Sequence, residues 1–231
     1  MTLCAIALGL GLWQLQRGAT KQALIAAIAA RATAAPEALP DPSEWPRLRP
    51  LDYEYRHVVL EGRFVPEMEV LVFRPSGGGA TGPKEPGYDV LTPLRTVSGA
   101  YIIVNRGFIP QSLLDRVSRG EPAGTGMARA TGLMRAPESR NLFTPPDDLA
   151  RGRAFTRDPA AIATHFGLEP AAPFSIDADA SADPRAWPRG GTTELRISDN
   201  HLSYALTWFG LAATGAAVFC AYAWTRNHAP T

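Results

Sequence analysis

NHLSYALTWFGLA, Asn200 to Ala212, carries a polar turn with a histidine straight into a long apolar run. From Leu202 to Trp224 no side chain is charged, and at the helical rise of 1.5 Å per residue the run reaches roughly 34 Å, enough for a bilayer core. The segment predicts a transmembrane helix with His201 at its entrance. At the other end, Met1 to Leu12 is apolar and leads into LGLWQLQR, Leu10 to Arg17. Two spans therefore bracket the chain. The first is short against the roughly 20 residues that a span needs, so either its start lies upstream or it is thinly inserted. It reads as an uncleaved anchor. No basic residue precedes its core, and Trp13, Gln14 and Arg17 follow where a signal peptide needs small residues.

With 231 residues, net charge +1 and no long Lys/Arg run, the chain has no basic footprint for nucleic acid. Its two cysteines, Cys4 and Cys220, fall in the expected spans, so the segment between needs no disulfide. Cys-x-x-Cys pairs, Met-rich tracts and His clusters are all absent from the sequence, which removes the usual soft-ligand set of a copper chaperone.

Between the spans, Arg17 to Ala35 is rich in Ala and Leu and predicts a helical stalk. Pro36 to Pro50 holds five prolines in fifteen residues and predicts an extended connector. The domain proper is expected from Leu51. His57 to Phe64, Met68 to Phe73, Tyr88 to Arg95, Tyr101 to Arg106 and Met127 to Arg135 read as strands. Continuous apolar runs at Val70 to Phe73 and Tyr101 to Val104 fit central strands covered on both faces. Asp158 to Gly167 has a capping Asp, Pro in the first turn and a closing Gly, the marks of a short helix. Phe174 to Asp177 and Thr193 to Ile197 return to the sheet. Ser76 to Gly87 carries five glycines but does not lead into a helix, so it is no phosphate loop. The expected fold class is a membrane-anchored α+β protein: two transmembrane helices flank a mainly antiparallel β domain, an open sheet or small barrel, with one or two helices. The expected layout is helix 1 at 1–16, stalk and connector at 17–50, the β-rich domain at 51–200, helix 2 at 201–225 and a polar tail at 226–231.

No catalytic constellation emerges, and no enzyme is expected. Asp147 and Asp148 follow two prolines in a loop and read as solvated. His57 reads as a surface or hydrogen-bonded histidine, His165 as half-buried packing and His228 as a residue of the tail. Asn105-Arg106-Gly107 closes a strand in a hydrogen-bonded turn, with Gly107 at a special backbone angle. His201 is either a helix-start hydrogen-bonder or a ligand. Tyr204, Ala205 and Trp208 follow at helical spacing on its side, and antiparallel spans bring Trp13, Gln14 and Arg17 to its level. Ala212, Ala213, Ala216 and Ala217 are small enough for close helix approach deeper down.

The chain resembles the surfeit-locus family, membrane proteins that assist assembly of haem-copper cytochrome oxidase. Eight strings in the family's order carry the resemblance: LGLWQLQR, EGRFVPE from Glu61, GYDVLTPLR from Gly87, VNRGFIP from Val104, SRNLFTPPDD from Ser139, PFSIDAD from Pro173, PRGGTTEL from Pro188 and NHLSYALTWFGLA. The resemblance implies that haem a binds with His201 as the iron's axial ligand. Trp13, Tyr204 and Trp208 would then be ring walls and Arg17 a partner for a propionate. It also implies the oxidase catalytic subunit as a partner, with the haem a synthesis machinery and membrane lipid as further ones. Termini on the cytoplasmic or matrix side and a central domain on the periplasmic or intermembrane side are implied. Ala- and Arg-rich composition points to a bacterial inner membrane, with the mitochondrial inner membrane as the alternative. A docking scaffold that binds no haem is the competing function.

Overall fold

The computed structural model describes residues 2–79, 82–114, 126–183, 185–193 and 200–227. His228 and most of the expected Thr193 to Ile197 strand lie outside them. The chain divides into two compact units, 1–28 with 196–231, and 29–195.

The larger unit is built on alternating burial. In β2 (His57–Phe64) Val58, Leu60 and Gly62 turn inward while their neighbours face out, the period of a strand with one covered face. β2 pairs antiparallel with β6 (Ala128–Arg135), and β6 pairs antiparallel with β8 (Ala171–Ala178). β8 runs parallel to β5 (Tyr101–Pro110), which pairs antiparallel with β4 (Gly87–Thr96). β4 returns to β2 through Gly62 to Phe64, closing a five-stranded barrel. Of the two expected forms, closed barrel and open sheet, the barrel is the one that forms. The edge of β4 is shared. Its last residues pair with β2, while Gly87 to Leu91 pair with β3 (Val70–Arg74), to which β7 (Arg153–Ala154) adds in parallel.

Inside lies one cluster with Val58, Leu60, Leu94, Ile102, Val104, Met134, Phe174 and Ile176. Ile103, one residue out of phase with Ile102 and Val104, belongs to a second cluster with Val70, Val72, Leu91, Ile162 and Leu168. Ile162 belongs to α3 (Pro159–Phe166), which covers that second face. This is why Tyr101 to Val104 is apolar throughout. The helix starts and stops by its own residues: the Asp158 carboxylate accepts from the Ala161 N–H at 3.1 Å, and Gly167 ends it at φ +65°.

The Pro-rich segment is more than a connector, and the domain begins before Leu51. Glu37–Ala38 (β1) pairs parallel with β2, and Pro50–Tyr53 (α2) is a single helical turn. Trp45, only 4% exposed, packs edge-on against Phe174 at 5.6 Å between ring centroids and donates from Nε1 to the Pro40 carbonyl at 2.9 Å. Proline limits this stretch to a two-residue ladder but does not prevent its burial. The large aromatic supplies the anchor.

The smaller unit is formed by two helices, α1 (Thr2–Ala32) and α4 (His201–Asn227); α1 extends by one turn into the larger unit. Among the described residues one helix, His201–Arg226, is long and apolar enough to cross a membrane. In α1, Gln14, Gln16, Arg17 and Lys21 interrupt the apolar stretch, and the expected first span is not confirmed.

Candidate functional site

Apart from Leu10, the covered positions of α1 recur at 4, 7, 11, 14, 18, 21, 25, 28 and 32, alternating steps of three and four. That is the seam of a helix pair. Three of these are Ala7, Gly11 and Gly18, and they let α4 approach closely. A Cβ on Gly11 would overlap the Phe209 ring, one on Gly18 would stand 3.2 Å from the His201 Cβ, and one on Gly215 would stand 3.0 Å from the Cys4 Sγ. These contacts set the helices antiparallel. Ala205 and Ala212 are buried on the α4 side, whereas Ala213 and Ala217, expected in the seam, are exposed. Cys220 is exposed as well, while Cys4 is half-buried at the seam.

At the start of α4, half-buried His201 sets Nδ1 2.7 Å from Oε1 of Gln14. The imidazole also borders a cleft of about 910 Å³ whose other walls are Trp13, Gln16, Arg17, Thr20, Lys21 and Leu24. That volume falls in the roughly 300–1,000 Å³ range of cofactor and ligand sites. The Arg17 guanidinium lies 5.6 Å from the centre of the Trp13 ring, close enough for a cation–π contact. The cleft thus combines an imidazole, an indole, an alkyl wall and two cations.

His201, Trp13 and Arg17, expected at the site, come together there. Tyr204 and Trp208 do not line the cleft. Tyr204 is 58% exposed and Trp208 half-buried, because Ala205 and Phe209, not their neighbours, are the residues that α4 turns toward α1. Gln14 and Lys21 complete the arrangement without having been picked out as site residues. The heptad phase of α1 was the signal for both.

A second polar centre lies in the barrel unit. Arg74 donates from Nε to Asp89 at 2.6 Å and from both terminal nitrogens to Glu138 at 3.0 and 2.8 Å. Asp177, 5% exposed, accepts from Asn105 at 3.0 Å, Arg135 at 2.9 Å, Arg157 at 3.3 Å and Thr193 at 2.8 Å. Burial works against the Asp177 carboxylate, but Arg157 and Arg135 outweigh it and hold its pKa below the ordinary value. Burial likewise opposes the Glu138 charge, and Arg74 and Arg157 overcome it and lower that pKa too. Asp89 goes the other way, since burial prevails over the pull of Arg74 and raises its pKa. The group surrounds a cavity of about 250 Å³. Asn105 also accepts from the Gly107 N–H at 3.0 Å, and Gly107 sits at φ +124°, the turn expected of this tripeptide. His57 is hydrogen-bonded, to Asp179 at 2.8 Å and the Ala34 carbonyl at 2.9 Å.

A small barrel with a network of buried, paired charges, and an apolar helix of membrane-crossing length bordering a histidine-lined cleft, suggest a membrane-associated protein. A family model, the SURF1 family, matches residues 1–213. Surfeit locus protein 1 of Rattus norvegicus is 33% identical over 234 residues, covering 96% of this chain and 72% of the relative. The Homo sapiens protein of that name is 34% identical over 219 residues (90% and 70%), and that of Takifugu rubripes 32% over 221 (90% and 89%). The chain belongs to the SURF1 family, whose members are oxidase assembly factors rather than enzymes.

Proposed function

We propose that this chain assists assembly of haem-copper cytochrome c oxidase by holding haem a in the cleft at the start of α4, with His201 as the axial ligand of the iron. The observation that carries the reading is the placing of His201: one ring nitrogen meets Gln14 while the imidazole borders a cleft walled by Trp13, Leu24 and two cations. The donor set fits the group. A neutral imidazole suits the iron, apolar and aromatic walls suit the macrocycle, and Arg17 and Lys21 suit its two propionates. Bound haem would supply the tightly absorbing cargo; the chain itself would position and shield it. In this reading α1 inserts beside α4, so that both helices cross a bacterial inner membrane and the barrel unit is periplasmic. The oxidase catalytic subunit is the recipient, and the haem a synthesis machinery is the source.

The test is the visible spectrum of the protein purified from cells that make haem a. A Soret band is expected for the natural chain, and it should be lost in His201→Ala with membrane insertion unchanged, because Leu202 to Trp224 keeps its apolar length. Natural chain that is colourless at full expression, or His201→Ala with an unchanged band, overturns the haem role.

One observation favours the docking scaffold as a second reading. Leu142 and Phe143 are 100% and 92% exposed on a loop held by its own bonds. Asn141 accepts from the Phe143 N–H at 2.9 Å, and Arg140 binds Asp147 and the Pro145 carbonyl. An ordered loop displaying two large apolar side chains is the form of a protein-binding anchor.

A further inference from the structure

We infer that Gln14 is a positioning residue for His201: its side-chain oxygen holds the imidazole as the Nδ1–H tautomer and leaves Nε2 with the lone pair that the iron takes. The inference rests on the haem reading above and deepens it.

Gln14 occupies a seam position of α1, one turn from Gly11 on one side and one turn from Gly18 on the other. A primary amide at such a position is costly unless its polar atoms find partners. Its Oε1 finds Nδ1 of His201 at 2.7 Å. A carboxamide oxygen only accepts, so the proton of this bond belongs to Nδ1. A neutral imidazole protonated at Nδ1 presents an unprotonated Nε2, the form that ligates a metal. Gly18 completes the grip. With no side chain of its own it admits the His201 Cβ, which a Cβ at position 18 would meet at 3.2 Å. One turn of α1 thus seats the histidine by its Cβ and orients it by its Nδ1.

Trp13, Gln16, Arg17, Thr20, Lys21 and Leu24 line the cleft, and Gln14 is absent from that lining. Gln14 thus reaches the cleft through His201 rather than as one of its walls. Metal-binding histidines commonly donate their second N–H to such an acceptor, which fixes the ring and raises its basicity; losing that partner typically costs about 10–100-fold in metal affinity.

The experiment compares the full chain, Gln14→Leu, Gln14→Glu and His201→Ala, purified without haem in detergent micelles with ¹⁵N-labelled histidine. Nitrogen NMR reads the His201 tautomer directly, with no cofactor present, and His201→Ala assigns the signals. Haemin titration of the same samples reads affinity and Soret position. The expected result is an Nδ1–H tautomer in the natural chain, mixed or Nε2–H in Gln14→Leu, with haemin affinity about 10–100-fold lower in that variant. Gln14→Glu, whose carboxylate accepts the same proton, should restore both. An Nε2–H tautomer in the natural chain, or Gln14→Leu with unchanged tautomer and affinity while His201→Ala loses haemin, overturns the role of Gln14 alone. His201→Ala that binds haemin undiminished overturns the haem reading itself. Should Gln14→Leu separate the helices, Gln14→Glu still decides, because a retained tautomer and affinity require the accepting oxygen.

Discussion

Asp177→Asn replaces a buried carboxylate by an amide of nearly the same shape, and the structure sets the size of the loss. Asp177 receives four donors, two of them guanidiniums: Arg157 is 4% exposed, and the Arg135 side chain is 16% exposed. The amide removes the charge, and its NH2 must face one of those donors. Breaking a buried ion pair by removing one partner costs about 3–5 kcal/mol. The lower end applies here, because each arginine keeps another carboxylate: Arg135 has Glu54 at 2.9 Å and Arg157 has Glu138 at 3.6 Å. The expected loss at pH 7 is about 3 kcal/mol, which lowers the midpoint of thermal unfolding by roughly 6–12 °C for a unit of this size. The pH dependence follows from the depressed pKa of Asp177 in the folded state. A depressed carboxylate contributes stability that is fully present above its unfolded pKa and is lost as pH falls through the folded one. Asparagine has no such contribution, so the gap between the two proteins should hold from pH 7 to about pH 5 and close progressively below that. Urea unfolding of the full chain in detergent, followed by the sheet signal in circular dichroism at a series of pH values, measures the gap directly. A gap below about 1 kcal/mol at pH 7, or one that stays the same at pH 3, refutes the claim that this carboxylate is ionised and central to the network.

Trp45→Ala should destabilise the barrel unit by about 3–5 kcal/mol in the same assay, since the indole is nearly fully buried against Phe174; a loss under about 1 kcal/mol would return the Pro-rich segment to a passive connector. The pair Leu142→Ser and Phe143→Ser should change stability by no more than about 0.5 kcal/mol, as both side chains are exposed. It should weaken co-purification of the oxidase catalytic subunit, and full retention of that subunit counts against the docking reading.

Sequence patterning reveals what is repetitive. The strands from His57 and Tyr88 are visible because side chains alternate between faces, and α3 is visible because Asp158, Pro159 and Gly167 satisfy the helix ends locally. The barrel's closure is not visible, because it depends on a register of only three pairs between β2 and β4. Nor is the charged centre. Arg74 and Glu138 are 64 residues apart, Asn105 and Asp177 are 72 apart, and each alone reads as an ordinary solvated residue. The placing of Tyr204 and Trp208 outside the cleft lining has another cause. α4 is apolar around its whole circumference, so no hydrophobic stripe marks the side that meets α1, and small differences in side-chain shape choose Ala205 and Phe209. The side of α1 could have been read. Its small residues at 7, 11 and 18 share one heptad phase with Gln14 and Lys21.

The placing of charge separates the two polar centres by the ligands they can take. In the barrel, Arg74, Arg135 and Arg157 face Asp89, Glu138 and Asp177 at hydrogen-bonding range. A ligand anion entering there would have to displace a carboxylate already bonded to a guanidinium, exchanging one charge-assisted bond for another while adding its own desolvation cost. The helix pair has the opposite composition. Neither Thr2–Ala32 nor His201–Asn227 contains an Asp or Glu, while Arg17 and Lys21 line the cleft beside His201. On the haem reading proposed above, an apolar ring bearing two carboxylates would find its complement at the helices, its anionic edge toward Arg17 and Lys21 and its face toward Trp13 and Leu24. The same logic predicts which single change matters least. Arg17→Ala leaves Lys21 in the cleft and the propionate within reach of water, so it should weaken haem retention less than losing the one imidazole does.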